Sequence, residues 1–135
     1  MKVTADTNLI VRVVVRDDEA QASKALDILS AAEAVILSLP CLCEFVWVLG
    51  SVYQLSRAEI GAAVRAMARR ANVLTDETAV TTGLLVLEAG GDFADGGIAA
   101  AGVAVGGDTF VSFDRQAVSR IQTIGMSAQD AATLA

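Results

Sequence analysis

Short runs of β-branched residues alternate along this chain with longer segments whose apolar side chains recur every three or four positions. That alternation narrows the fold more than any other feature, because strands separated by helical crossovers must pair in parallel. It predicts an α/β protein with a short, mostly parallel central sheet flanked by helices. Lys2 to Ala5 reads as a first strand ending at Asp6, Val35 to Leu39 as a second, and Val73 with Leu74 as a short third. Thr109 to Phe113 reads as a fourth, stopping at Asp114. Glu19 to Glu33 carries a helical stripe at Ala22, Ala25, Leu26, Leu29 and Ala32. Pro40 opens a helix through Tyr53, since its missing N–H is not needed in a first turn. Ser56 and Glu59 have the spacing of a capping box for a helix to Arg70. Asp76 can cap a helix from Glu77 to Ala89, which Gly90 and Gly91 end, and another helix starts near Phe93. Leu9 to Val15 is readable either way: its branched side chains favour strand and its place favours a crossover helix. From Arg115 onward the pattern is weak. No linker, repeat or low-complexity tract interrupts the 135 residues, so one domain over 1–135 is expected.

Histidine is absent altogether, and its absence removes much chemistry. Ser-His-Asp and Cys-His catalysis, the two-histidine ribonuclease mechanism and every histidine-ligated zinc or iron site are excluded. Cys41 and Cys43 are too few for a cysteine-only zinc site, and on a helix they point to different faces, so both are expected as buried thiols. At this length the core needs neither disulfide nor structural metal, and with aromatics at only 4% it must be built from Ala, Val, Leu and Ile. A mean hydropathy of +0.55 raises the question of a membrane. The most apolar stretches, Leu42 to Leu49 and Ile98 to Val105, are far shorter than a bilayer span, and no basic-then-apolar leader stands at Met1 to Val15. The expectation is a cytoplasmic protein without a membrane span.

Acids, bases and ligands must therefore come from Asp and Glu, of which there are 16 against 10 Lys and Arg, for a net charge of −6. In open parallel sheets ligands gather at the carboxyl ends of strands, and several acids fall there. Asp6 follows the first strand, Asp114 the last, and Glu44 lies in the first turns of the helix after the second. Asp92 and Asp95 are three apart at a helix start, which lets both face one side. Glu44 sits among Cys41, Leu42, Cys43, Phe45, Val46, Trp47, Val48 and Leu49, so it is expected to be buried, with no Lys or Arg between Lys24 and Arg57 to pair with it. Two such charges about 4 Å apart repel by about 4 kcal/mol at an effective dielectric of about 20. Either some carry protons or a cation sits among them. All-oxygen ligation suits Mg²⁺ or Mn²⁺, which activate water for phosphodiester hydrolysis without histidine.

Each acid also has a plainer reading. Taken alone, Asp6 reads as a helix cap, Asp114 as the cap of a short terminal helix, and Asp92 and Asp95 as solvated acids favoured by a helix dipole. Glu44 has only the reading of a buried, protonated acid. Trp47 and Phe45 read as core or subunit contact, and Arg65, Arg69 and Arg70 as a solvated helix face.

Four segments in order resemble the PIN-domain ribonucleases, in particular toxins of the VapC type. They are Ala5-Asp6-Thr7-Asn8, Leu39-Pro40-Cys41-Leu42-Cys43-Glu44-Phe45-Val46-Trp47-Val48-Leu49, Gly91-Asp92-Phe93-Ala94-Asp95 leading into Ile98-Ala99-Ala100, and Ser112-Phe113-Asp114. By position, the resemblance implies Asp6, Glu44, Asp95 and Asp114 as catalytic, metal-binding acids, with Asp92 as an extra acid and Thr7, Asn8 and Ser112 orienting the site. It further implies Mg²⁺- or Mn²⁺-dependent endonucleolytic cleavage of RNA and restraint by a cognate antitoxin. A homodimer is expected because the chain has more apolar surface than its size needs to hide, with the helices Pro40 to Tyr53 and Ser56 to Arg70 as the faces that can contribute to it and to an antitoxin groove. Three positions depart from the family pattern: Gly96 and Gly97 follow Asp95, which should loosen that first helical turn, and Ser112 stands where Thr is usual.

Rivals fit less well. A phosphoacceptor receiver-like domain wants paired acids after the first strand and a late lysine, but Thr7 follows Asp6 and no lysine follows Lys24. A haloacid-dehalogenase-type phosphatase wants Asp where Asn8 stands, and no phosphate-cradling glycine loop is present. A catalytically inactive PIN-like interaction domain would not need all four acids. The acidic balance argues mildly against nucleic acid, although Arg12, Arg16, Arg57, Arg65, Arg69, Arg70, Arg115 and Arg120 can form a local patch.

Overall fold

Three of the β-branched runs pair into a parallel sheet in which Val3, Val35 and Val73 lie side by side. The computed structural model describes residues Met1–Ala135, and the chain divides into two compact units, Met1–Asp76 and Glu77–Ala135.

In the first unit the order is β1 (Lys2–Thr4), α1 (Thr7–Val15), α2 (Glu19–Ala31), β2 (Ala34–Ile36), α3 (Leu39–Ser51), α4 (Arg57–Ala68) and β3 (Val73–Leu74). The strands lie in the order β1-β2-β3, all parallel. The pairing continues past the strand ends through Ala5 N–H to Ile36 C=O and Leu37 N–H to Leu74 C=O, both at 3.0 Å. The ambiguous run after Asn8 is a helix. Thr7, Ile10 and Val11 are its buried residues, a three-and-four spacing that no strand could place on one face. α1 closes at Arg16 in the left-handed region, φ 56°. α2 ends at Ala31, earlier than its stripe suggested, because Ala32 turns to extended backbone and Glu33 N–H already bonds Met1 C=O at 2.8 Å. The Asn72 amide then ties the α2 end to the approach of β3 through Leu29 C=O and Ala32 C=O. α4 starts with the expected reciprocal capping box between Ser56 and Glu59. Ile10, Leu29, Val35, Leu37, Leu42, Phe45, Leu49 and Val64 are fully enclosed.

The second unit runs α5 (Glu77–Glu88), α6 (Phe93–Ala104), β4 (Phe110–Ser112), α7 (Arg115–Thr123) and β5 (Ala128–Asp130), with β4 and β5 parallel. The last two elements occupy the stretch whose pattern is weak. α7 has only Ala117, Val118 and Ile121 as its buried face, and β5 is three residues long. Val86, Ala99 and Ile121 form a core here, covered by Phe110, Ile124, Met126 and Ala128.

α5 and α6 approach closely through glycine. A Cβ on Gly96 would stand 2.7 Å from the Thr82 carbonyl oxygen and 2.8 Å from the Gly83 Cα, and one on Gly83 would meet the Phe93 ring at 2.7 Å. The expectation that Gly96 and Gly97 loosen the first turn of α6 is therefore corrected. Both are buried, and Gly96 lets that turn seat against the α5 backbone. No helix is long and apolar enough to cross a membrane.

Candidate functional site

The first acid stands where β1 hands the chain to α1. Asp6 holds the N-cap position with extended backbone, φ −81° and ψ 156°, yet its side chain accepts no helix amide. A capping aspartate takes such a bond, so the capping reading of Asp6 does not hold, and its exposed carboxylate is left for another partner. Thr7 follows at 4% exposure, the one buried polar residue of the chain. Its side chain shares a hydrogen bond with the Cys41 side chain on α3. Asn8 is exposed and lines, with Asp6, Leu9, Arg12, Gln21 and Lys24, an open groove of about 820 Å³.

Asp6 and Glu44 share an open pocket of about 350 Å³ whose other walls include Thr4, Thr7, Ser38 and Cys41. β1 supplies one side of it and the start of α3 the other. Ser38 caps α3 by accepting the Cys41 N–H at 3.3 Å, which fixes the first turn with Cys41 and so the place of Glu44 in the turn after it. Glu44 itself is exposed, contrary to the expectation from its apolar neighbours. The helix buries Cys41, Leu42, Phe45, Val46 and Leu49 as one stripe, and Glu44 and Trp47 lie on the opposite one. Trp47, at 62% exposure, is likewise not core, whereas Phe45 is. Glu44 therefore needs no buried partner, and its place in the pocket wall is what recommends it. Cys41 is buried and Cys43 only half-buried, so just one of the two thiols meets the expectation. Burial raises the Cys41 pKa, and the nearby Asp6 and Glu44 carboxylates add to the rise against the hydrogen bond with Thr7, which lowers it. The thiol thus stays protonated beside the two acids. Its spacing three before Glu44 was the available signal for a residue the sequence reading did not place in the pocket.

The other acids belong to the second unit. Asp92 caps α6, accepting the Ala94 N–H at 3.1 Å, so its plain reading is realised. Asp114 caps α7 through one oxygen, Oδ1, which accepts from Gln116 N–H at 2.9 Å and Ala117 N–H at 3.1 Å. Ser112 secures that corner, its Oγ accepting the Asp114 N–H at 3.0 Å. Asp95 is different. It lies in the first turn of α6, is half-buried, and has its pKa raised by burial first and then by the Asp92 and Asp114 carboxylates. Asp92 and Asp114 are thus both within electrostatic reach of Asp95, and their like charges add to the cost that burial places on it. Across the chain, no three Asp, Glu or Cys side chains close into a ready cation cage.

A family model described as the PIN domain matches residues 3–122. The chain belongs to the PIN-domain family. PIN domains have a nuclease-type fold and generally use divalent metal ions, and the α/β architecture with short parallel strands agrees with that membership. No curated protein and no solved structure gives a match to the chain. The receiver-like rival falls away with the family assignment.

Proposed function

We propose that this PIN-domain protein is a metal-dependent endoribonuclease, the toxin of a toxin–antitoxin pair, acting as one domain over 1–135 with Asp6, Glu44, Asp95 and Asp114 as its catalytic, metal-binding acids. The observation that carries the reading is Asp6, held at a helix start with its carboxylate not spent on the helix. The donor set suits Mg²⁺ or Mn²⁺, being all carboxylate, without histidine, and with the Cys41 thiol kept protonated. A bound divalent ion would supply activated water and stabilisation of charge at the scissile phosphate. Asp6, Glu44, Asp95 and the Asp114 oxygen not used in capping are the groups with which the chain would ligate such an ion, with Asp92 as an auxiliary acid. Thr7, Asn8 and Ser112 orient these groups: Thr7 through its buried hydrogen bond with Cys41, Ser112 through the Asp114 amide. A homodimer and a protein antitoxin complete the proposal, and exposed Trp47 and Val52 at α3 support the association of copies.

The purified chain is expected to cut single-stranded or structured RNA in Mg²⁺ or Mn²⁺ and to stop in excess chelator. Gel analysis of a panel of cellular RNAs checks this. Cleavage that persists in chelator and is lost only on heating would contradict the metal mechanism.

A further inference from the structure

Positive charge is scarce in the second unit. From Glu77 to Ala135 the only cations are Arg115 and Arg120, although Asp92, Asp95 and Asp114 lie there among other acids. Arg120 is folded over the Gly90–Gly91 turn with its Nε buried. Arg115 is the opposite case. It directly follows Asp114, its side chain is 85% exposed, and its Nε stands 3.5 Å from the Asp130 Oδ2. Asp130 is well placed to hold it. That side chain is only 19% exposed, its Oδ1 accepts the Ala132 N–H at 2.9 Å, and the β4–β5 register sets it beside Ser112, at the strand end that delivers Asp114.

An exposed ion pair of this kind contributes little to stability, because water screens it and two side chains must be ordered to form it. As an anion contact it makes better sense. Engagement through Nε alone leaves the terminal guanidinium nitrogens in solvent, and that fork matches the oxygens of a phosphate. A polyanion nearing Asp92, Asp95 and Asp114 also meets repulsion that a neighbouring cation offsets. We propose that Arg115 contacts a phosphate of the RNA strand beside Asp114, and that Asp130 is the residue that positions it. The inference rests on the ribonuclease reading and names a substrate contact for it.

Binding of a labelled single-stranded RNA in Ca²⁺, followed by anisotropy across a salt series, is read beside steady-state cleavage in Mn²⁺. Arg115→Ala is expected to weaken binding about tenfold and to reduce the salt slope by about 0.7, the share of one phosphate contact on a single strand. In cleavage it should raise KM with kcat within about twofold of wild type. Arg115→Lys should keep the slope. Asp130→Asn retains the acceptor for Ala132 but loses the charge, so it should weaken binding about threefold with the slope unchanged. Wild type that cleaves RNA while Arg115→Ala matches it in affinity and slope overturns the contact and leaves the ribonuclease reading standing. RNA binding that depends on Arg115 without any cleavage overturns the ribonuclease reading and supports the contact. Asp130→Asn indistinguishable from wild type overturns the positioning role.

Discussion

Asp6→Asn, Glu44→Gln and Asp95→Asn are each expected to slow RNA cleavage by more than tenfold, about 1.4 kcal/mol or more in the barrier. Each replacement removes a charge and keeps the shape, so packing is not the variable. At Asp6 no helix bond is lost, since the carboxylate makes none. At Glu44 the side chain is exposed and its neighbours Cys41 and Phe45 keep the helix seated. Asp92→Asn should cost less, because asparagine caps as well as aspartate and the Ala94 bond survives. Asp114→Asn separates two roles cleanly: the bonds to Gln116 and Ala117 remain, so a fall in rate with unchanged melting would report the oxygen not used in capping. Initial rates on one RNA substrate at saturating Mn²⁺, with melting curves for each variant, check the series. A loss at Asp92 equal to or larger than that at Asp95 would reverse the assignment within α6.

Gly96→Ala is expected to destabilise the protein and to lower activity together. Two opposed effects decide the sign. Alanine gains about 1 kcal/mol over glycine inside a helix from backbone entropy. Overpacking costs about 1–3 kcal/mol when the surroundings cannot yield. Here the obstacle is the Thr82 carbonyl oxygen at 2.7 Å and the Gly83 Cα at 2.8 Å, which are backbone atoms and can move only with α5 itself. The second effect should win, and because Asp95 immediately precedes Gly96, the displacement reaches the half-buried acid. Thermal unfolding and cleavage rate of Gly96→Ala beside Gly102→Ala, where a Cβ would meet nothing within 4 Å, isolate the close approach. Equal behaviour of the two variants would show that the α5–α6 contact does not constrain the site.

The alternation of branched runs with helical stripes carried the first unit almost element by element, since Val3, Val35 and Val73 and the Ser56–Glu59 box act through local chemistry. Leu9 to Val15 stayed ambiguous because branched residues suit either state, and the three-and-four spacing of Thr7, Ile10 and Val11 decides it only when Thr7 is counted as a buried residue. α7 and β5 were not legible, being short and held largely by contacts from Phe110 and Val86 that lie far off in sequence. Among the site residues, the order of the acids was readable, and their environments were not. Glu44 looked buried because its neighbours are apolar, but a helix also exposes apolar residues such as Trp47. Asp6 and Asp114 carry the same capping signal in sequence, yet only Asp114 spends an oxygen on its helix. The tight seat of Gly96 had no local signal, since glycine in a helix reads as looseness until the facing backbone is known.

Whether Asp95 belongs to a cation site is decided by thermal unfolding of wild type and Asp95→Asn, each in chelator and in Mn²⁺. Folding raises the Asp95 pKa above its ordinary value, so the native state binds that proton more tightly than the unfolded chain does. Stability from this group is therefore present below the ordinary aspartate range and is lost as pH rises through the raised value, leaving the metal-free protein at neutral pH under the strain of a half-buried carboxylate that Asp92 and Asp114 also repel. A cation that binds only the folded site relieves that strain and raises the melting temperature. Metal-free Asp95→Asn is expected to melt above metal-free wild type at pH 7, with a flatter dependence on pH, and the rise on adding Mn²⁺ should shrink or disappear. A metal-free variant less stable than wild type, with an undiminished response to Mn²⁺, would place Asp95 outside any metal site and remove it from the proposed ligands.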